Sequence, residues 1–262
     1  QYHLDEPMLV QYWHWASGAL TGDFGQSFQY HQPVSALLAA RVPITLSLVA
    51  YAAVVLTVVG IGLGIVAAVR RGKAADTAII GFTTLAASIP SFVLGIAFVA
   101  FFAVELRWFP VAGAGSAGLD RLYALTLPAL TLAITALAIV SRVTRQSMIE
   151  QFSSEHVEAA RASGLRERYI VRDHVLRGAW GPIITMVALV IASMIAGTVA
   201  VETVFGISGV GSLLVDAINT HDFPVVQAVL LFMVVAYMIV TTIVDLLLPV
   251  LDPRIRRRTV SA

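Results

Sequence analysis

The chain has 262 residues, of which 58% are hydrophobic and 13% charged, against about 25% charged in an ordinary soluble domain. Its mean hydropathy of +0.84 sets it among membrane proteins. It has no cysteine, which excludes a disulfide framework and a thiolate metal site, and its net charge of +1 points to no particular partner.

Residues 1–43 form a polar leading segment. A bilayer core needs about 20 consecutive apolar residues per helix. Five uncharged runs meet that length: Ile44–Val69, Thr77–Val104, Leu122–Ser141, Gly178–Val201 and Phe223–Val244. All are too long for core strands, and none alternates with period two. The reading is an all-α membrane protein with a transmembrane domain over 44–249 and a basic tail over 250–262.

Lys and Arg in the connecting loops set the orientation. The loops 1–43, 105–121 and 202–222 hold three of them: Arg41, Arg107 and Arg121. The loops 70–76 and 142–177 and the tail 245–262 hold the other fourteen of the 17. The second set is therefore expected in the cytoplasm, and residues 1–43 outside. A polar outer segment has to be carried across, and the first residue is Gln1 rather than Met. A sixth, N-terminal transmembrane helix ahead of this chain is expected, with a cleaved signal peptide as the alternative.

Within the spans, Gly60 and Gly64 form a GxxxG pair with Gly62 between them, a pattern that lets helix backbones approach closely in lipid. Pro90 in SIPSF and Pro128 in LTLPAL are expected to kink their helices, and a kink can shape a pathway. Two carboxylates lie near span ends. Glu202 follows the fourth run at its outer end, where it either meets a substrate amino group or holds the outer loop. Asp245 lies at the inner end of the last run, within reach of Arg254 or Arg256. The outer loop GISGVGSL carries Gly206, Gly209 and Gly211, which tolerate positive φ.

The cytoplasmic stretch EHVEAARASGLRERYIVRDHVLRG at 155–178, which carries most of the segment 153–177, is charged where the rest is apolar. Ser154 is placed to cap a helix, and Glu155 and Glu158 in the first turns suit its dipole. Gly164 is placed to stop that helix as a C′ glycine. A second helical stretch follows over about Leu165–Leu176, with Leu165, Tyr169, Ile170 and Val171 as its buried side. The Ala159-Ala160 pair offers a flat surface for close approach. Charges around such a surface suit docking to another protein, where they set register. Binding to anionic lipid is the alternative, and the four acids of the stretch speak against it.

Chemistry within the chain is not indicated. There is no G-x-x-x-x-G-K-[ST] phosphate loop, and Gly72-Lys73 lacks the leading glycine and the following Ser or Thr. The histidines His3, His14, His31, His156, His174 and His221 form no metal-ligand pattern. No Ser/His/Asp set sits at one membrane depth.

Glu158-Ala159-Ala160, three residues, Gly164, and then His174 resembles the EAA loop of ABC-importer permeases. Leu176 is followed by Arg177 where many members have Pro, which resembles the dipeptide, oligopeptide and nickel branch. Gly178 stands where that branch often has Asn. LDEPMLVQYWHWASGALTGDFGQSF at 4–28, SIPSF at 88–92, VETVFGISGVGSLLVDAINTHDFPVVQ at 201–227 and LDPRIR at 251–256 are similar to further segments of that branch, in the same order. The resemblance implies a type I ABC-importer permease fold with six helices, the first lying ahead of this chain, and a cytoplasmic coupling helix pair. It implies a multi-pass subunit of a bacterial inner membrane that is not itself catalytic. The expected partners are a second homologous permease, two ATPase subunits that bind ATP and Mg, an extracytoplasmic substrate-binding protein and membrane lipid, with no nucleic acid. The ATPase contact would be Glu158, Ala159, Ala160, Arg161, Gly164 and Leu165. The substrate pathway would include Ser88, Pro90, Glu202, Gly206 and Gly209. Di- or oligopeptides are the expected cargo. Nickel or another small cargo, and an ATP-independent secondary transporter or channel, are the alternatives.

Overall fold

The computed structural model describes residues 7–251. The side chain of Asp245, and Arg254, Arg256 and the rest of the basic tail, lie outside the described residues. Among those described there is no β-strand. Long apolar helices are the outcome expected where no water is present to satisfy an open backbone.

An outer helix α1 (Met8–Thr21) precedes α2 (Val34–Val69). Helix α2 begins ten residues before the apolar run and passes through Pro43, where the Ser47 hydroxyl donates to the Pro43 carbonyl at 2.6 Å. The run Thr77–Val104 is not one kinked helix. It is α3 (Ala74–Ser88) and α4 (Ser91–Phe98), followed by a π-helical segment Val99–Glu105, with a bend of 97° at the break. Pro90 ends one helix and starts the next. It has no N–H to donate, and the residue before it, Ile89, is pushed out of helical geometry to φ −89°, ψ 123°. Pro128, by contrast, is carried inside the unbroken helix α5 (Gly118–Phe152).

The charged segment 153–177 forms α6 (Glu155–Ala162), the single turn α7 (Glu167–Tyr169) and a π-helical segment Ile170–Leu176. This second half is not a separate short helix. It continues directly into α8 (Arg177–Val204), so one helical body runs from Glu167 to Val204. The outer loop contains α9 (Val210–Asn219), and α10 (Phe223–Leu251) closes the described chain. Among the described residues four helices are long and apolar enough to cross a membrane, and the bent α3–α4 pair makes a fifth span if counted as one.

The core runs along α5, which packs on α2, α8 and α3. Small residues set the α2–α5 spacing. A Cβ on Gly60 would sit 3.0 Å from the Val140 side chain, and one on Gly64 would sit 2.5 Å from Thr144 Cβ and 2.7 Å from the Ser141 carbonyl oxygen. Gly64→Ala is therefore expected to destabilise the fold by about 1–3 kcal/mol. Gly62→Ala, whose Cβ meets nothing within 4 Å, should leave stability no lower. Thermal unfolding of the detergent-purified chain separates the two.

Close contacts sort the loops into two ends. Asp76 meets Arg145, and Gly178 abuts Gln151, at the end that carries the basic loops. Thr45 meets Glu202, and Ser27 meets Asp222, at the other. At that second end a smaller core joins the start of α2 (Val34, Leu37, Leu38) to α9 and the start of α10. The outward faces of α2 and α10 remain apolar, as at Val58, Val234 and Met238. Such surface is suited to lipid rather than water.

Candidate functional site

Ser154 stands at the N-cap of α6 and its carbonyl accepts the N–H groups of Val157 and Glu158 at 3.0 and 3.2 Å. Its hydroxyl does not cap. It donates back to the Gln151 carbonyl at 2.5 Å. At the other end Gly164 has φ +77°, with its N–H on Arg161 O at 2.9 Å and the Leu165 N–H on Ala160 O at 3.3 Å. This is a Schellman closure with Gly164 at C′, the position that takes a left-handed residue.

The alanine pair splits, because neighbouring residues on a helix point about 100° apart. Ala160 and Val157 are buried and join the main core with Met148, Ile170 and Val175. Glu155, Glu158, Ala159 and Arg161 are exposed. The surface that α6 presents thus includes two carboxylates, Ala159, His156 and Arg161. Arg161 donates to Glu167 at 2.7 Å across the Gly164 turn and lies 5.8 Å from the Phe152 ring centroid. An exposed pair of this kind contributes little to stability. On the second stretch Ile170 is buried and Val171 half-buried, whereas Leu165 and Tyr169 are exposed. The Tyr169 hydroxyl accepts from Arg168 at 3.1 Å, and the Arg168 guanidinium lies 4.8 Å from the Tyr169 ring centroid. The His156 and His174 rings are 6.3 Å apart, where the π-helical segment passes α6.

The pathway candidates fall in two places. Glu202, in the last turns of α8, is fully buried. Its Oε1 accepts from Thr45 Oγ1 at 2.6 Å and its Oε2 from the Ser212 N–H at 3.0 Å. Thr45 Oγ1 in turn accepts from the Val210 N–H at 2.8 Å. One carboxylate therefore supplies the start of α9 with acceptors and ties α2, α8 and α9 together. Gly209 and Gly211 are small for the same reason. A Cβ on Gly209 would collide with the Glu202 carboxylate, and one on Gly211 would lie 2.6 Å from Val199 Cα. Of the three outer-loop glycines only Gly206, exposed at φ +56°, uses its conformational freedom. Ser88 and Pro90 lie apart from this cluster, exposed at the α3–α4 break, with the Ser88 hydroxyl donating to Thr84 O at 2.9 Å.

Two polar anchors have no evident signal in the sequence. Asp222, buried before α10, accepts through Oδ2 from Ser27 Oγ at 2.5 Å and the Gln29 N–H at 3.1 Å. This fastens the leading segment to the outer end. Asp76 accepts from Arg145 Nε at 2.7 Å and a second guanidinium nitrogen at 2.8 Å, and from the Gly72 N–H at 3.0 Å. That bidentate pair ties the first cytoplasmic loop and α3 to α5. The one hint was an acid in the first turn of a helix. Among the described residues no three His, Asp or Glu side chains come together to hold a metal ion.

Long apolar helices, a short charged helix between two of them and a helical loop stapled by a buried carboxylate make up an architecture already solved elsewhere. The chain is similar to a subunit in inward-facing structures of the MetNI methionine ABC transporter, with a TM-score of 0.70 at 19% identity over 82% of this chain and 96% of that one. It is also similar to a chain of an amino acid ABC transporter solved with histidines, with a TM-score of 0.60 at 15% identity over 81% and 92%. The fold is that of a type I ABC-importer permease. The model of the family described as "Binding-protein-dependent transport system inner membrane component" matches residues 60–257. The probable peptide ABC transporter permease protein y4tP of Sinorhizobium fredii is 39% identical over 97% of this chain and 82% of its own length. The glutathione transport system permease protein GsiC of Escherichia coli is 36% identical over 98% and 82%. The chain belongs to the family of binding-protein-dependent inner membrane components, and it is a multi-pass permease subunit of an ABC importer.

Proposed function

We propose that this permease pairs with a second, related permease to pass di- or oligopeptides inward, and that two separate ATPase subunits drive it through α6. The observation that carries the coupling is the seating of α6. Val157 and Ala160 fix it to the core, its acids and Ala159 face out, and its Schellman turn leads into the helical body that becomes α8. A surface held so firmly on the inside and so polar on the outside suits a partner that pushes. The similarity to permeases named for peptide and for glutathione supports the cargo class. An extracytoplasmic binding protein would deliver the peptide at the end where Glu202 staples α9. ATP and Mg would be bound by the ATPases, and this chain would contribute no catalytic residue.

Movement of α6 and α8 then exchanges inward-open and outward-open states, each favoured by a different ligand. Vesicles that hold the assembled importer, with ATP on the ATPase side, should accumulate labelled peptide only when ATP and binding protein are both present. Equal uptake without ATP would sink this reading in favour of a secondary transporter or channel.

A further inference from the structure

Helix α3 shows two exposed faces of opposite character. Ala78, Phe82 and Leu85 form one, and it is apolar. Thr77, Gly81, Thr84 and Ser88 form the other at the same helical spacing, all exposed except the half-buried Thr84. In a membrane protein the first face suits lipid, and the second calls for a wet neighbour. A cavity of about 630 Å³ opens beside Thr77 and Gly81 of that second face, with Asp76 and Ile80 also on its α3 side and Arg142, Arg145 and Gln146 on its α5 side.

Two arginines border this cavity and they are not equivalent. Arg145 is neutralised by its bidentate pair with Asp76. Arg142, one turn away on α5, is exposed and has no carboxylate partner among the described residues. Its guanidinium donates to Thr84 Oγ1. Thr84 lies two turns beyond Asp76 on α3, about 12 Å further from the basic loop. An uncompensated cation held that far into a span is costly unless it faces water and serves an anion.

We infer that the Thr77–Gly81–Thr84–Ser88 face of α3 and the facing side of α5 form a wet wall of the passage, and that Arg142 there holds a carboxylate of the cargo. The inference rests on the peptide reading above, since a free peptide carries a carboxylate at its C-terminus. A guanidinium pairs with a carboxylate in a planar, two-bond geometry, and the hydroxyls along α3 supply weaker partners on either side. Leaving Thr84 for the cargo exchanges a neutral acceptor for a charged one, so Arg142 would bind and release without breaking an ion pair of its own.

The chain has no cysteine, and a Cβ at Gly81 would meet nothing within 4 Å. Gly81→Cys in the assembled importer therefore places one thiol on this chain, in the cavity wall. In vesicles it should react about tenfold faster with a sulfonate-bearing methanethiosulfonate than with a trimethylammonium-bearing one. Adding Arg142→Gln should erase that preference, and Arg142→Lys should keep it. A thiol that reacts with neither reagent overturns the wet wall. A preference that survives Arg142→Gln, or is lost in Arg142→Lys, overturns the role of Arg142. Protection of the thiol in phosphatidylglycerol vesicles but not in phosphatidylcholine vesicles would assign Arg142 to a lipid phosphate and overturn the cargo site.

A second measurement addresses the cargo. The ratio of uptake rates for a peptide with a free C-terminal carboxylate and its C-terminal amide should fall about tenfold or more in Arg142→Gln, a change of about 1.4 kcal/mol for each factor of ten. An unchanged ratio overturns the carboxylate assignment. A wild-type importer that moves no peptide, while the thiol keeps its preference for the anionic reagent, refutes the peptide reading and the carboxylate assignment that rests on it, and leaves the anion-holding wall standing.

Discussion

Glu158→Lys is expected to abolish ATP-driven uptake while the chain stays folded and inserted. Glu158 is exposed in the first turns of α6, and no hydrogen bond or ion pair within the described residues uses its carboxylate. The fold has little to lose beyond a favourable charge at a helix N-terminus, worth about 0.3–1 kcal/mol. The docking surface has more to lose. Reversing one member of a close charge pair across an interface costs about 2–5 kcal/mol or more, enough to weaken association by an order of magnitude or several. Peptide uptake and ATP hydrolysis by the reconstituted importer should therefore separate from the yield and thermal stability of the purified chain. Uptake at the wild-type rate would remove Glu158 from the coupling surface.

Glu202→Ala should have the opposite signature. Its carboxylate is fully buried and serves Thr45 and the backbone of α9. Removing it leaves donors without acceptors, at about 1–3 kcal/mol for each buried group, and opens a cavity where the side chain stood. Stability should fall by about 3–5 kcal/mol, and amide exchange should rise at Val210 and Ser212. If Glu202 served the cargo instead, Glu202→Ala would lower uptake and leave both stability and exchange unchanged. Glu202→Gln keeps the shape and one acceptor and should lie between wild type and alanine.

These two residues show what the sequence could and could not reveal. Glu158 sits in a local pattern, with an N-cap position, two first-turn acids and a C′ glycine all between Ser154 and Gly164, and local patterns are legible one residue after another. The partners of Glu202 are 157 residues away at Thr45 and ten away at Ser212. No local spacing encodes them, so the sequence left both substrate contact and loop support open. The same limit hid the Ser27–Asp222 and Asp76–Arg145 ties. Long apolar runs announced the spans, and loop charge announced the two ends. The α3–α4 break was announced only as a proline. Whether a proline bends a helix, as expected, or separates two, as at Pro90, or is carried inside one, as at Pro43 and Pro128, depends on what packs around it. The alanine pair was misread for a simpler reason. Two adjacent residues cannot share a face of a helix, so Ala160 belongs to the core and Ala159 alone to the surface.

The helical body from Glu167 to Val204 has one end beside α6 and the other at Glu202. Its α8 portion alone is about 40 Å long at 1.5 Å per residue. A tilt of about 10° would sweep one end past the other by about 7 Å at that length. Because Glu202 holds α9 by its backbone, the outer loop must travel with it. In the importer proposed above, the two mouths of the passage would in this sense be the two pans of a single balance, lowering one raising the other, and no separate signal between the faces of the membrane would be required to keep both from standing open together.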